Sequence, residues 1–162
     1  MGIATTNLTR TSRMPRTTKP NLNPNVAFRT YITFNNGEIE FAEKAKPKCG
    51  EIWMCDLGHN DGSVQSGYRP VFIISNDTNN QYSPTINVFP LTTKMNKRNL
   101  PVHVELWNYK KYGLSAPSTI LVEQPMTVPS DRFVKKAGSI TDAETLEKIC
   151  RAMGIQFPIL VH

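Results

Sequence analysis

Cysteine is scarce in this chain: three thiols, Cys49, Cys55 and Cys150, stand among 162 residues, and none forms a CxxC pair. That parity does not suit a disulfide framework, and the spacing suits neither zinc nor a redox motif. The thiols are therefore expected to be reduced packing groups in a cytoplasmic protein. Long apolar runs are missing as well. No stretch approaches the roughly 20 apolar residues that would span a bilayer, so no spanning helix is expected. The basic start lacks the apolar run of about 7 to 15 residues that marks a secretory signal, so export is not expected either. The three histidines, His59, His103 and His162, lie far apart without HxxxH or HxH spacing, which predicts no metal site and no cofactor. No GxSxG elbow is present, and Cys55 falls within an apolar run where burial makes a thiol inert. The nearest glycine-rich stretch, Gly62 to Gly67, lacks a Lys-Ser/Thr ending and opens no helix, which argues against nucleotide hydrolysis.

What the sequence does carry is positive charge, unevenly placed. The formal net charge is +6, and residues 1–50 hold eight basic against three acidic residues. Residues 1–25 are Thr, Arg, Asn and Pro with almost no large apolar side chain, too little to offset the entropy of ordering. They read as a disordered basic arm able to track a polyanion. Residues 26–48 alternate apolar and polar around Asn35-Asn36-Gly37, the pattern of a hairpin. Residues 49–162 are long enough to bury a core of their own.

In that last segment most signals have period two. Residues 50–57 (GEIWMCDL) place Ile52 and Met54 on one face and Trp53, Cys55 and Leu57 on the other, a strand buried on both sides and near the sheet centre. Strands are predicted over 69–75, 85–93 and 100–107, with a turn at 76–84. In the 100–107 strand, Val102, Val104 and Leu106 point inward and His103 and Glu105 outward. A fifth strand is predicted over 118–124. One segment has helical period: Leu146, Ile149 and Met153 follow a Thr141/Glu144 capping box, and Gly154 ends the run. The expectation is a mainly β (α+β) domain, a small SH3-like barrel of about five to seven strands with a C-terminal helix, behind a basic N-terminal extension.

One cation is oddly placed. Arg69 follows a polar, glycine-containing loop (58–68) and precedes Pro70, which forces an extended backbone and sets the guanidinium at the barrel rim. That placement suits a phosphate. It would equally allow an ion pair with Asp56 or Asp77.

The blocks GEIWMCDL, GSVQSGYRPVFIISND, YSPTINVFPLTTK, LPVHVEL and STILVEQPMTV resemble, in order, the MazF/PemK family of type II toxin endoribonucleases, from about Gly50 to Met153. The resemblance implies an SH3-like barrel that forms a homodimer, binds single-stranded RNA in a groove at the dimer interface and cleaves it at a short sequence without metal. It further implies mRNA as the substrate, with inhibition of translation and growth, and a MazE-like antitoxin that blocks the groove and makes any contact with DNA. It carries the catalytic arginine onto Arg69 and the active-site threonine onto Thr92. Many members have a glutamate where this chain has Val64. The arginine of the PemK branch falls here on Leu121, while Glu123 keeps the carboxylate, so the chain follows the MazF branch. His59 and Glu123 are accessory candidates for proton transfer. Single-stranded RNA is bound by aromatic platforms beside basic groups, which makes Tyr68, Lys94, Lys97 and Arg98 candidate contacts together with Gln65, Thr93 and Gln124. Trp53 and Phe72 read as core or dimer contacts. Two other classes remain open: a CcdB-like toxin that binds DNA gyrase, and a catalytically inactive RNA-binding module.

Overall fold

The computed structural model of the chain describes residues 31–35, 38–42, 45–94 and 100–161. The candidate arm 1–25 and the basic residues Lys97 and Arg98 lie outside them. Strands β1 (Tyr31–Asn35) and β2 (Glu38–Ala42) pair antiparallel with Asn35 opposite Glu38, at the place where the sequence alternates around its Asn-Asn-Gly turn.

The main sheet is built of seven strands: β3 (Glu51–Asp56), β4 (Tyr68–Ile73), β5 (Thr85–Thr92), β6 (His103–Leu106), β7 (Ser118–Leu121), β8 (Met126–Pro129) and β9 (Phe133–Ser139). Their order is β6-β7-β5-β4-β3-β9, all antiparallel, with β8 also on β5. Strand β5 is where the sheet turns. Thr85–Val88 pair with β8, whereas Leu91 and Thr92 pair with β7. Pro90, which has no N–H to donate, falls at the seam between the two partners. Two register shifts along the β3–β9 pair bend that side as well.

Alternation in β3 sorts the two halves of the core as the sequence predicts. Ile52 packs with Phe72, Phe89, Leu91, Val104, Leu106 and Ile120 in one cluster, while Trp53, Cys55 and Leu57 join Val71, Ile73, Ile86, Val88, Val128 and Phe133 in the other. Each large side chain so buried contributes about 1.5–3 kcal/mol. Strand β3 is interior, one place from the edge. Helix α2 (Ala143–Gln156) closes the first cluster with Ile149 and Ala152, flanked by Leu146 and Met153.

Several expectations need correction. Residues 76–84 are not simply a turn: Asn76 caps a short helix α1 (Asp77–Tyr82) by accepting from Asn79 N at 2.8 Å. Strands β8 and β9 were not foreseen, because the exposed Val134, Lys135 and Lys136 of edge strand β9 hide its alternation. The predicted strand 100–107 narrows to His103–Leu106, and the strand 118–124 ends at Leu121. The α2 cap is Asp142, one residue after Thr141; its carboxylate accepts from Thr145 N and from Tyr112 Oη, and Lys111 Nζ lies 3.2 Å away. The helix runs through Gly154 to Gln156.

Candidate active site

The loop between β3 and β4 is closed at its base by two glycines with positive φ, Gly58 (+70°) and Gly67 (+73°). Leu57 N donates to Gly67 O at 3.1 Å, and Gly67 N donates to Gly58 O at 2.7 Å. A Cβ at 58 would also meet the end of the Arg132 side chain, which is exposed and free to move aside. Within the loop, Asn60 Nδ2 donates to Gln65 O at 2.7 Å. Gln65 N donates to Gln124 Oε1 at 3.1 Å, tying the loop to the chain just beyond β7.

Arg69 is partly buried at the start of β4, opposite Cys55 of β3. Its Nε donates to Ser66 O at 2.8 Å, and its Nη1 donates to Gln65 Oε1. Both acceptors are neutral. Among the described residues no carboxylate pairs with Arg69. Asp56 accepts instead from Gly58 N, and Asp77 from Cys49 N, which removes the ion pair that the sequence left open. Partial burial draws the guanidinium's pKa below its ordinary value. Of its five N–H donors two are used; the three that remain lie at the Nη end, the fork geometry that grips an oxyanion.

Thr92 ends β5. The β4–β5 register pairs Val71 with Pro90, Phe72 with Phe89 and Ile73 with Val88. The ladder ends at Val71 and Pro90, two residues short of both Arg69 and Thr92, and Thr92 itself pairs with Thr119 of β7. Thr92 Oγ1 accepts from Lys94 N at 3.2 Å, which leaves the hydroxyl proton available. Tyr68 is 55% exposed beside Arg69, and Thr93 and Lys94 are exposed at the end of β5.

The remaining candidates divide. Gln65 and Gln124 join the Arg69 group, though through bonds to the protein itself. Glu123 does not join it: its Oε1 lies 2.9 Å from His103 Nε2, and its Oε2 is buried without a hydrogen-bond partner among the described residues. His103, expected on a wet face, has a side chain only 7% exposed for the same reason. His59 projects into solvent, with Asp61 at 4.0 Å and no bond to the Arg69 group among the described residues. Val64 is half exposed, while Trp53 and Phe72 are core residues. Among the described residues no three His, Cys, Asp or Glu side chains are grouped so as to hold a metal ion, and no helix is long and apolar enough to cross a membrane. Asn60 and Arg132 were not anticipated. A loop asparagine and an arginine in the short turn before β9 carry no signal of their own; only the fold brings them near Gln65 and Gly58.

Residues 48–157, more than half of the chain, match the family described as "PemK-like, MazF-like toxin of type II toxin-antitoxin system". Among solved structures the fold is similar to the Mycobacterium tuberculosis toxin MazF-mt6, at 22% identity over 67% of this chain and 96% of that one (TM-score 0.56). It is similar to a mycobacterial endoribonuclease in complex with its cognate antitoxin, at 23% identity over 70% and 96% (TM-score 0.54). MazF from Deinococcus radiodurans matches at 18% identity over 74% and 100% (TM-score 0.59).

Proposed function

The chain belongs to the PemK-like, MazF-like toxins of type II toxin-antitoxin systems, and from that premise we propose that it is a sequence-specific endoribonuclease that cleaves single-stranded mRNA without a metal ion. The observation that carries the proposal is the state of Arg69: a guanidinium fixed by neutral carbonyl oxygens and unpaired with any carboxylate among the described residues. A cation held in that way keeps its charge for a ligand, and the ligand its free fork suits is a phosphate.

The reaction is attack by a ribose 2′-oxygen on the adjacent phosphorus. A new O2′–P bond forms and the P–O5′ bond breaks. The proton lost from the 2′-hydroxyl is balanced by one gained at the 5′-oxygen. The products are a 2′,3′-cyclic phosphate and a 5′-hydroxyl. Arg69 donates to the non-bridging oxygens as charge builds on them, a form of stabilisation worth about 10²–10³ in rate per donor lost. Its high pKa makes it a poor base but leaves it able to protonate the departing alkoxide. The Thr92 hydroxyl donates to the same phosphate and orients it. Tyr68 offers a stacking face, and Lys94 with its basic neighbours holds the flanking phosphates. The active form is a homodimer, and a MazE-like antitoxin occupies the groove when cleavage is blocked; a relative of the same fold is described in complex with its cognate antitoxin.

The test is incubation of the purified protein with a long single-stranded RNA in EDTA, mapping the new 5′ ends with Arg69→Ala alongside. Cuts at one recurring short sequence that vanish in the variant are expected. Intact RNA, or cuts that persist in Arg69→Ala, overturn the proposal; tight RNA binding without products would identify an inactive RNA-binding module.

A further inference from the structure

The two glutamines that reach the Arg69 group spend their polar atoms on the protein. Gln65 is held on both sides of its backbone: its N–H donates to Gln124 Oε1 at 3.1 Å, and its carbonyl accepts from Asn60 Nδ2 at 2.7 Å. With the backbone pinned, the Gln65 side-chain carbonyl is presented to Arg69 Nη1, and the neighbouring Ser66 carbonyl takes Nε. The contact from Gln124 spans 59 residues and joins the loop to the segment beyond β7. An arginine has four side-chain torsions, and an unheld guanidinium samples many rotamers. Anchoring Nε and one Nη restricts that freedom before substrate arrives and fixes the plane in which the remaining Nη N–H groups are offered.

We infer that Gln124 and Gln65 are positioning residues: Gln124 fixes Gln65, and Gln65 aims the Arg69 guanidinium at the phosphate. The inference rests on the reading of Arg69 as the phosphate-binding cation. A neutral amide carbonyl suits the task better than a carboxylate, because it orients the guanidinium without cancelling its charge. A misplacement of about 1 Å at a catalytic group costs on the order of 10²-fold in rate, so a relay of this kind is expressed in kcat. A direct RNA contact made by either glutamine would be expressed in KM.

The experiment compares the wild type with Gln124→Met and Gln124→Glu, in steady-state cleavage over a range of RNA concentrations and by the NMR signal of the Arg69 Nε–Hε group. Methionine keeps the length and removes the acceptor, and glutamate restores it. Gln124→Met is expected to lower kcat by about 10²-fold and to move the Arg69 Nε–Hε signal to the position of a free guanidinium. Gln124→Glu is expected to restore most of kcat and the signal, with its added charge read in KM. Two results overturn the inference: both variants raising KM with kcat unchanged, or an Arg69 signal identical in wild type and Gln124→Met. If wild-type protein cleaves no RNA, the reading of the reaction fails, and the NMR comparison alone still decides whether Gln124 orders Arg69.

Discussion

On the outer face of α2, Lys148 lies 2.6 Å from Glu144 and Arg151 lies 2.9 Å from Glu147, each one helical turn away. At the barrel rim Arg69 is also bonded twice, but to the carbonyl oxygens of Gln65 and Ser66. The first arrangement neutralises charge in solvent and contributes little, about 0.3–0.5 kcal/mol per pair. The second spends protein structure to orient a cation and leaves its charge available. A charge that serves only the fold finds a carboxylate, whereas one that acts on a ligand is held by dipoles. The same contrast separates Lys136, paired with Glu51 at 2.7 Å on the sheet edge, from the rim.

If that contrast is right, the largest effect belongs to Arg69→Ala. Cleavage should fall about 10³-fold, with an unchanged circular dichroism spectrum and melting temperature. Next comes a close approach away from Arg69, where Gly138 of β9 pairs with Ile52 of β3. A Cβ on Gly138 would stand 2.1 Å from Tyr112 O, so Gly138→Ala should cost about 3 kcal/mol of stability in urea unfolding. Thr92→Val, which removes the free hydroxyl but keeps the shape, should lower kcat by about 10²-fold. Asp142→Ala should cost about 1 kcal/mol through the lost cap. Bonds from Thr145, Tyr112 and Lys111 hold the Asp142 carboxyl well below the usual carboxylate range. Its contribution is therefore full above the unfolded value near pH 3.9 and is lost as pH falls below it. Melting temperature followed from pH 6 to pH 2 should accordingly drop less steeply in Asp142→Ala than in wild type. The smallest effect belongs to the helix: Glu147→Gln should change stability by less than about 0.5 kcal/mol and leave cleavage unaltered. An equal loss of cleavage in Glu147→Gln and Arg69→Ala would erase the contrast.

Sequence legibility follows the same division. Strand β3 was readable because Ile52, Trp53 and Cys55 answer to a local rule: successive side chains face opposite cores. Strand β5 was readable for the same reason, and α2 through the spacing of Leu146, Ile149 and Met153. Helix α1 was not, since Asp77–Tyr82 has no apolar period and is set by the Asn76 cap. Strand β9 was not, because its edge position lets lysines occupy positions that an interior strand would keep apolar. The α2 cap is Asp142 because its carboxylate accepts from Thr145 N, and Tyr112, 30 residues away, adds a hydroxyl to it. At the candidate site, Arg69 stood out by its place between a glycine-containing loop and Pro70, whereas Thr92 came through the family motif alone. Their strand partners, Cys55 for Arg69 and Thr119 for Thr92, come from registers that the sequence does not encode locally. The opposite fates of Gln124, bonded into the rim, and Glu123, turned to His103, depend on a contact between segments 59 residues apart in one case and 20 in the other. Adjacent residues on one strand end could not be told apart from spacing alone.

The most direct measurement is the salt dependence of RNA binding. A non-cleavable oligonucleotide carrying the mapped cut site, with a 2′-deoxy sugar at the scissile position, would be titrated over a range of salt concentrations into wild type, Arg69→Ala and Glu147→Gln. An arginine that holds its charge for a phosphate releases a counterion when RNA binds, so Arg69→Ala should reduce the slope of log K against log salt by about 0.7, while Glu147→Gln leaves it unchanged. A slope in Arg69→Ala equal to that of wild type would contradict the assignment of Arg69 as the phosphate-binding cation.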